Sequence, residues 1–502
     1  MTAAVLVPVL AAGVTIWVLR TDGTPERTAE AYLRAWSAED YPRMRELVAD
    51  PPADFERLHR RFRADLKLKG AAFRLRATDV DGGLANFRAQ LTGPATFTYD
   101  GQLELVEHER AWKVAWDPAT IHPLMAKGRR LRLVTSKGPT APVLAADGRR
   151  IDTPGTPGSV QQLVEGLRQT YPDRIGTGEQ HRVDLYDDDQ RVRTVVEAEQ
   201  HKPLRTTVDL KVHQAGADAL ETASKPASLV ALRPSTGEIL AVVNKPGGFN
   251  RALLGKYPPG STFKVVTAAA LVAGGLSPER TVSCPAEQNI GGFPFHNAGF
   301  KDFGTLSFRD AFAHSCNTTF GAMSVSGLGG SRLAEVAASF GFGAPVTPGV
   351  PAVKADFPAP KDDTDLASAS IGQGRVLASP LNMASVAAAI ADGAWRPPRI
   401  VAAGLLPGRA PHPRPLEPRV VRALRDLMPA VVTDGTAHAV RFPDGTAGKT
   451  GTAEYGSGKE PPAHSWFIGY RGDLAFAVVV EGGGAGSAVA APIAARFLTA
   501  LS

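Results

Sequence analysis

The spacing of apolar residues changes several times along the chain, and each change marks an element. From Ala3 to Leu19 every residue but Thr15 is apolar or small, and Arg20, Thr21, Asp22 and Gly23 then turn the chain polar. A run of this length reaches the lower edge of what crosses a bilayer, and lipid tolerates Pro8 and Gly13. Residues 1–20 are therefore expected to be a retained, single-pass signal anchor in the cell membrane, with the rest of the chain outside the cytoplasm. Ala29, Tyr32, Leu33 and Trp36 recur at helical spacing. Further on the period falls to two. Phe97 and Tyr99 precede an Asp100-Gly101 turn, Leu103 and Leu105 follow it, and Trp112, Val114 and Trp116 alternate again, which predicts a helix followed by a curved antiparallel sheet.

Between Met125 and Arg205 the pattern loosens, and Thr153-Pro154-Gly155-Thr156-Pro157-Gly158 marks a break before a helix from Val160 to Gln169. Leu229–Leu232 and Ile239–Val243 bracket Ser235-Thr236-Gly237-Glu238 as two strands of a hairpin. Trp466–Tyr470 and Leu474–Val480 read as two more strands, and Ala488–Leu501 as a closing helix. The fold class is α+β, multidomain, with an antiparallel sheet and helices.

With 502 residues, 43% hydrophobic and 21% charged, the chain can bury two or three cores. A formal charge of +6 suits contact with anionic lipid or wall polymer and is equally an ordinary soluble balance. No block of like charge and no basic residues interleaved with aromatics suggest a nucleic-acid partner. There is no HExxH, paired CxxC or phosphate loop, and Asp187-Asp188-Asp189 lacks the Gly and Glu of a calcium loop, so it reads as a solvated turn. No metal and no cofactor are expected. Cys284 and Cys316 are the two cysteines, and they form either one disulfide or two separate buried thiols.

The candidate chemistry sits in three short motifs. Pro258-Pro259-Gly260 stops the preceding chain, and Ser261 opens an alanine-rich run to Val272 that should be a buried helix. Ser261 and Lys264, three apart, share a face of its first turn. A serine hydroxyl needs a base within hydrogen-bond reach, and a lysine can serve only when neutral. Burial or a second cation, for which Lys449 is the candidate, would lower its pKa. Ser315 and Asn317 point the same way if their loop is extended, offering a hydroxyl to relay a proton and an amide to hold a base or a carbonyl. Lys449-Thr450-Gly451-Thr452 reads as a strand with which an extended peptide could pair; Gly451 leaves room for a backbone, and the lysine and threonine hydroxyls suit a terminal carboxylate. Taken singly, each motif has a plainer reading: a capping serine, a polar loop, an edge strand.

In this order and at these separations, Ser261-Thr262-Phe263-Lys264, Ser315-Cys316-Asn317 and Lys449-Thr450-Gly451-Thr452 resemble the serine acyl-transferases that react with penicillin. Asn250-Arg251-Ala252, Tyr257-Pro258-Pro259-Gly260 and Ile371-Gly372-Gln373-Gly374 ahead of Pro380 also match that family. Residues 24–125, ending with Asp117-Pro118 and His122-Pro123, resemble an NTF2-like α+β cone domain. By position, residues 126–204 correspond to the dimerisation-like pedestal of class B penicillin-binding proteins, with the usual pattern reduced to Ala146-Asp147-Gly148-Arg149. Residues 205–502 correspond to the transpeptidase domain, a central antiparallel sheet flanked by helices.

The resemblance implies a membrane-anchored peptidoglycan D,D-transpeptidase. Ser261 would attack the penultimate D-Ala carbonyl of a stem peptide, and Ser315 would pass a proton to the departing amine. Asn317 would orient Lys264 and the donor, and backbone N–H groups of Ser261 and Thr452 would form the oxyanion hole. A β-lactam would acylate Ser261. Partners would be peptidoglycan stem peptides, β-lactams, a glycosyltransferase and division or elongation proteins. A Cys284–Cys316 bridge would pin the loop carrying Ser315 and Asn317. Two rivals remain: a D,D-carboxypeptidase or β-lactamase-type hydrolase, against which no Glu lies in the Glu-x-x-Leu-Asn context that activates water, and a non-catalytic penicillin-binding sensor or scaffold.

Overall fold

Thr24 begins the first helix: its hydroxyl accepts a hydrogen bond from the Arg27 N–H at 3.3 Å, and Pro25 occupies the first turn of α1 (Pro25–Ser37). This is the start of a computed structural model describing residues 23–502 apart from 80–81, 199, 409–411 and 457–460. The expected anchor at residues 1–20 lies outside the described residues. No helix among those described is long and apolar enough to cross a membrane.

The described chain divides into two compact units, one of residues 23–140 with 176–201 and one of residues 141–175 with 202–502. In the first, the apolar face of α1, with Ala29, Tyr32, Leu33 and Trp36, is buried, and Trp36 stacks on Phe73 with ring centroids 3.7 Å apart. After a short helix at Tyr41–Glu46, α2 (Phe55–Leu66) buries Phe55, His59, Phe62 and Leu66. Five strands form the sheet: β1 (Val48–Ala49), β2 (Gly70–Asp79), β3 (Leu84–Thr92), β4 (Phe97–His108) and β5 (Ala111–Ala115), in the order β1-β5-β4-β3-β2. The alternation of Leu103 and Leu105 and the burial of Val114 follow the two-residue period.

The Asp100-Gly101 turn expected from the sequence is not formed. β4 runs unbroken through it, with Asp100 opposite Arg88 and Gly101 opposite Phe87. A Cβ on Gly101 would lie 2.3 Å from the Phe87 ring, so the glycine makes room for an aromatic on the neighbouring strand. Asp100 pairs instead with Arg76 and Arg88, each at 3.4 Å.

A further sheet of β6 (Arg130–Lys137), β7 (Glu179–Asp187) and β8 (Gln190–Val196) belongs to the same unit, so the stretch 126–204 is shared between the two units. Asp187 at the end of β7 and Asp189 in the turn to β8 face Arg129 and Arg132 at 3.1 and 2.9 Å.

In the second unit, α3 (Gly158–Thr170) and α4 (Leu210–Leu220) precede a five-stranded antiparallel sheet. Its strands are β9 (Ala227–Arg233), β10 (Glu238–Lys245), β13 (Ala447–Glu454), β14 (Ala463–Arg471) and β15 (Leu474–Val480), in the order β10-β9-β15-β14-β13; β11 (Glu287–Ile290) and β12 (Phe293–His296) form a separate hairpin. In β15, Ala475–Val480 are all buried, because helices cover the sheet on both faces, which accounts for an apolar run without alternation. β13 is the terminal strand, so one line of its backbone groups has no sheet partner. Against this sheet and around the site pack α5 (Lys264–Ala273), α6 (Asn317–Met323), α7 (Asp363–Ser370), α8 (Pro380–Asp392), α9 (Pro418–Thr433) and α10 (Ala490–Thr499).

Candidate active site

Ser261 lies in a 3-10 turn, Gly260–Phe263, that leads into α5. The sequence predicts an α-helical turn here; the tighter winding serves the pair better, because residues three apart eclipse on a 3-10 turn. Two glycines permit it. Gly260 has φ +53° and donates its N–H to Gly372 O at 2.9 Å, while a Cβ on Gly372, itself at φ +73°, would lie 2.1 Å from Gly260 O. The Gly372-Gln373-Gly374 loop after α7 therefore supports the serine turn from one side. From the other side comes β13: a Cβ on Gly451 would lie 2.8 Å from Thr262 Cγ2 and 3.0 Å from Pro259 O. On this face the backbone that Gly451 admits is that of the serine turn.

All of the Lys264 side chain is buried. Its Nζ stands 2.6 Å from Ser315 O, 2.6 Å from Asn317 Oδ1, 3.2 Å from Ser261 Oγ and 3.2 Å from Ser315 Oγ. A neutral amine has two N–H donors and one lone pair. Ser315 O and Asn317 Oδ1 can only accept and take both donors, which leaves the lone pair for a hydroxyl. Burial holds the Lys264 pKa well below the usual lysine value, and the charge of Lys449 lowers it further. In that deprotonated form Lys264 can take the proton of Ser261.

Ser315 and Asn317 reach Lys264 by a route other than the extended loop expected. A short helix, Phe308–Ala313, ends there, and Ser315 adopts the left-handed region at φ +62° as its closing residue, with Ser315 N–H on Phe312 O and Cys316 N–H on Ala311 O. Asn317 then opens α6. The corner between two helices turns both the carbonyl and the hydroxyl of Ser315 toward one amine. Cys316 is disulfide-bonded to Cys284, with Cα atoms 6.1 Å apart, so of the two pairings open to the cysteines the bridge is the one formed.

Lys449 is fully buried, its Nζ donating to Thr450 O at 3.2 Å and lying 5.7 Å from the Phe312 ring centroid. Burial lowers its pKa to about 7. So enclosed, Lys449 presents its charge to the neighbouring groups through its field. Thr450 is also buried and its hydroxyl meets that of Thr436 at 2.6 Å. Thr452 is exposed, and its Oγ1 accepts from Gly486 N–H at 3.2 Å, so it is the hydroxyl of this strand that faces solvent.

Two supports went unseen in the sequence. Asn297, only 2% exposed, accepts on Oδ1 from the N–H groups of Asn317 (2.8 Å) and Thr318 (3.3 Å), and donates from Nδ2 to Pro285 O and Lys301 O. It acts as an N-cap for α6 from twenty positions upstream. Thr436 is the other, and neither belongs to a recognisable motif. Among the described residues no group of His, Cys, Asp and Glu is placed to hold a metal ion.

Residues 227–499 match the penicillin binding protein transpeptidase domain, and residues 24–129 match the NTF2-like N-terminal transpeptidase domain. The chain belongs to the penicillin-binding protein transpeptidases. Within this family it is 33% identical over 359 residues to the peptidoglycan D,D-transpeptidase PbpA of Mycolicibacterium smegmatis, an alignment covering 59% of this chain and 71% of that protein. Among solved structures, penicillin-binding protein A from M. tuberculosis as its ceftriaxone acyl-enzyme complex superposes with a TM-score of 0.54 at 30% identity, covering 61% of this chain and 81% of that one. A D,D-transpeptidase domain of a peptidoglycan glycosyltransferase from Eggerthella lenta gives a TM-score of 0.59 at 25% identity, with 73% and 98% covered.

Proposed function

We propose that this chain is a peptidoglycan D,D-transpeptidase that works through an acyl-enzyme on Ser261, inhibited by β-lactams. The observation that carries the serine mechanism is the buried Lys264 amine, with two acceptor-only oxygens at 2.6 Å and the Ser261 hydroxyl at 3.2 Å. Such an amine is built to be a base. Its similarity to PbpA, and the acyl-enzyme captured in the M. tuberculosis structure, supply the reaction class.

In this mechanism Ser261 Oγ attacks the penultimate D-Ala carbonyl as its proton passes to Lys264. The oxyanion meets the backbone N–H groups of Ser261 and Thr452, each worth about 3 kcal/mol of transition-state stabilisation. The Ser315 hydroxyl returns the proton to the leaving D-Ala amine. The donor peptide lies along the unpaired edge of β13 with its carboxylate on the Thr452 hydroxyl and in the field of Lys449. An amine of a second stem then replaces Ser261. Residues 1–20 anchor the chain in the cell membrane with both units outside. Because cross-linking consumes newly made, uncross-linked strands, a glycosyltransferase and the proteins of division or elongation are its working partners.

The test is to incubate the full chain with fluorescent penicillin, map the labelled peptide by mass spectrometry, and follow a D-alanyl thioester donor with and without an amine. Label on Ser261, lost in Ser261→Ala, together with amide product is expected. Label elsewhere would refute the mechanism. Hydrolysis alone would make the protein a carboxypeptidase, and full function of Ser261→Ala in cells would make it a scaffold.

A further inference from the structure

The chain between the two cysteines folds into the β11–β12 hairpin and returns by Phe300 to the Ser315 corner. It touches the catalytic groups directly, because His296 O accepts from Asn317 Nδ2 at 2.9 Å, the amide whose other end holds Lys264. On this segment Phe300 is 58% exposed, the most exposed large apolar side chain among the described residues. Its ring stacks on His296, with centroids 4.2 Å apart and planes 16° from parallel. His296 Nδ1 lies 3.1 Å from Asn297 O, and since a carbonyl can only accept, that nitrogen donates and the backbone fixes the ring's orientation. Glu287, also exposed, is the cross-strand partner of His296 in the hairpin register, so its carboxylate shares that face of the hairpin.

Two stacked rings and a carboxylate beside one another suit a cation whose stem is apolar. None of the three side chains has a part in binding or acylating the donor, which uses β13 and the Ser261 turn. We infer that Glu287, His296 and Phe300 form the subsite for the amine-bearing arm of the acceptor stem, on the Asn317 side of the ester. This inference rests on the transpeptidase reading. The ring faces and Glu287 attract the ammonium as it arrives; it loses one proton to solvent. The free amine then forms its C–N bond to the acyl carbon as the bond from that carbon to Ser261 Oγ breaks, and the second proton leaving nitrogen returns to Oγ by way of Lys264.

The experiment measures, on the full chain in detergent, the second-order rate of acylation by penicillin and the ratio of aminolysis to hydrolysis of a D-alanyl thioester donor. D-alanine serves as the short acceptor and a diaminopimelate-containing tripeptide as the long one. Phe300→Ala and Glu287→Gln should leave penicillin acylation within about twofold of the parent and lower the ratio for the tripeptide about tenfold, the scale of one lost cation–π or charge contact. The ratio for D-alanine should fall less, and Phe300→Tyr should restore the tripeptide value. An unchanged ratio in Phe300→Ala overturns the subsite, whatever the substitution does to binding of other proteins, and so does an equal loss in acylation and in the ratio. If the parent chain itself yields no amide with either acceptor, the transpeptidase reading fails first, a result separable from both.

Discussion

Two lysines, Lys264 and Lys449, set the chemistry by being buried near each other. Either alone in a dry interior would lose its proton more readily than in water; together, the charge of one also lowers the pKa of the other. In the proposed mechanism the base works only when Lys264 is neutral, so the rate of acylation by penicillin should rise with pH through the pKa of Lys264 and then level. Replacing Lys449 by Met removes the cation that helps to depress that pKa. The rising limb of the pH profile should therefore move to higher pH, measured as second-order acylation against pH from 5 to 9. A limb that stays in place, with only a lower plateau, would confine Lys449 to binding. Ser261 and Lys264 could be named from the chain because a three-residue separation fixes their relative placement. Ser315 and Asn317 are candidates too, but that their oxygens stand 2.6 Å from the Lys264 amine follows only from the fold, as does the burial that tunes both amines.

At the level of elements, the site stands where the serine turn is held between the Gly372 loop and strand β13. Gly372 against Gly260 is the tightest of these contacts, and Gly374 nearby offers the control: it also has positive φ, but its nearest neighbour to a built Cβ is 3.5 Å away. Gly372→Ala should cost more than the strain of about 1–3 kcal/mol shared by both, lower the melting temperature and reduce acylation far more than Gly374→Ala. Equal effects would show that strain alone matters.

Asn297 makes a second test. Asn297→Ala strips the external cap from α6 and leaves buried groups unpaired, at about 1–3 kcal/mol per group. Asn317 should then lose its place and acylation should fall, while Asn297→Asp, which keeps the acceptor for the Asn317 and Thr318 N–H groups, should fall less; rates and melting temperatures of the two variants check this. The same level shows where patterning misleads. Asp100-Gly101 carries the dipeptide of a hairpin turn, yet the ring of Phe87 decides that the strand continues. Gly451 was legible as a site of close approach, and only the packed structure identifies what approaches.

Over the whole molecule, buried histidines tie stability to pH, and His213 in the second unit is held below its usual pKa by burial as well. His59 and His122 in the first have pKa values lowered by burial to about 3 and about 4. Their folded forms stay neutral where the unfolded chain binds protons. The stability they confer is complete above pH 6.5 and is lost as pH falls toward the folded values. At pH 5 each should have given up about 2 kcal/mol. Denaturant unfolding followed by tryptophan fluorescence, to which Trp36, Trp112 and Trp116 of this unit contribute, should show that loss between pH 7.5 and 5; a flat profile would contradict it.

By itself the sequence determined the α+β class, the helix and alternating strands of the first unit, the closing strands and helix of the second, and the three motifs of the site. These depend on the period of apolar residues and on short spacings, which the local geometry of helix and strand converts into shared faces. Only the tertiary structure decided which positions meet: that Lys264 lies dry between Ser315 and Asn317, that Lys449 is enclosed and Thr452 open, that Asn297 caps a helix twenty residues on, and that Cys284 and Cys316 join. Those outcomes depend on burial and on contacts between segments far apart in the chain, and a residue's identity carries no record of what will be packed against it.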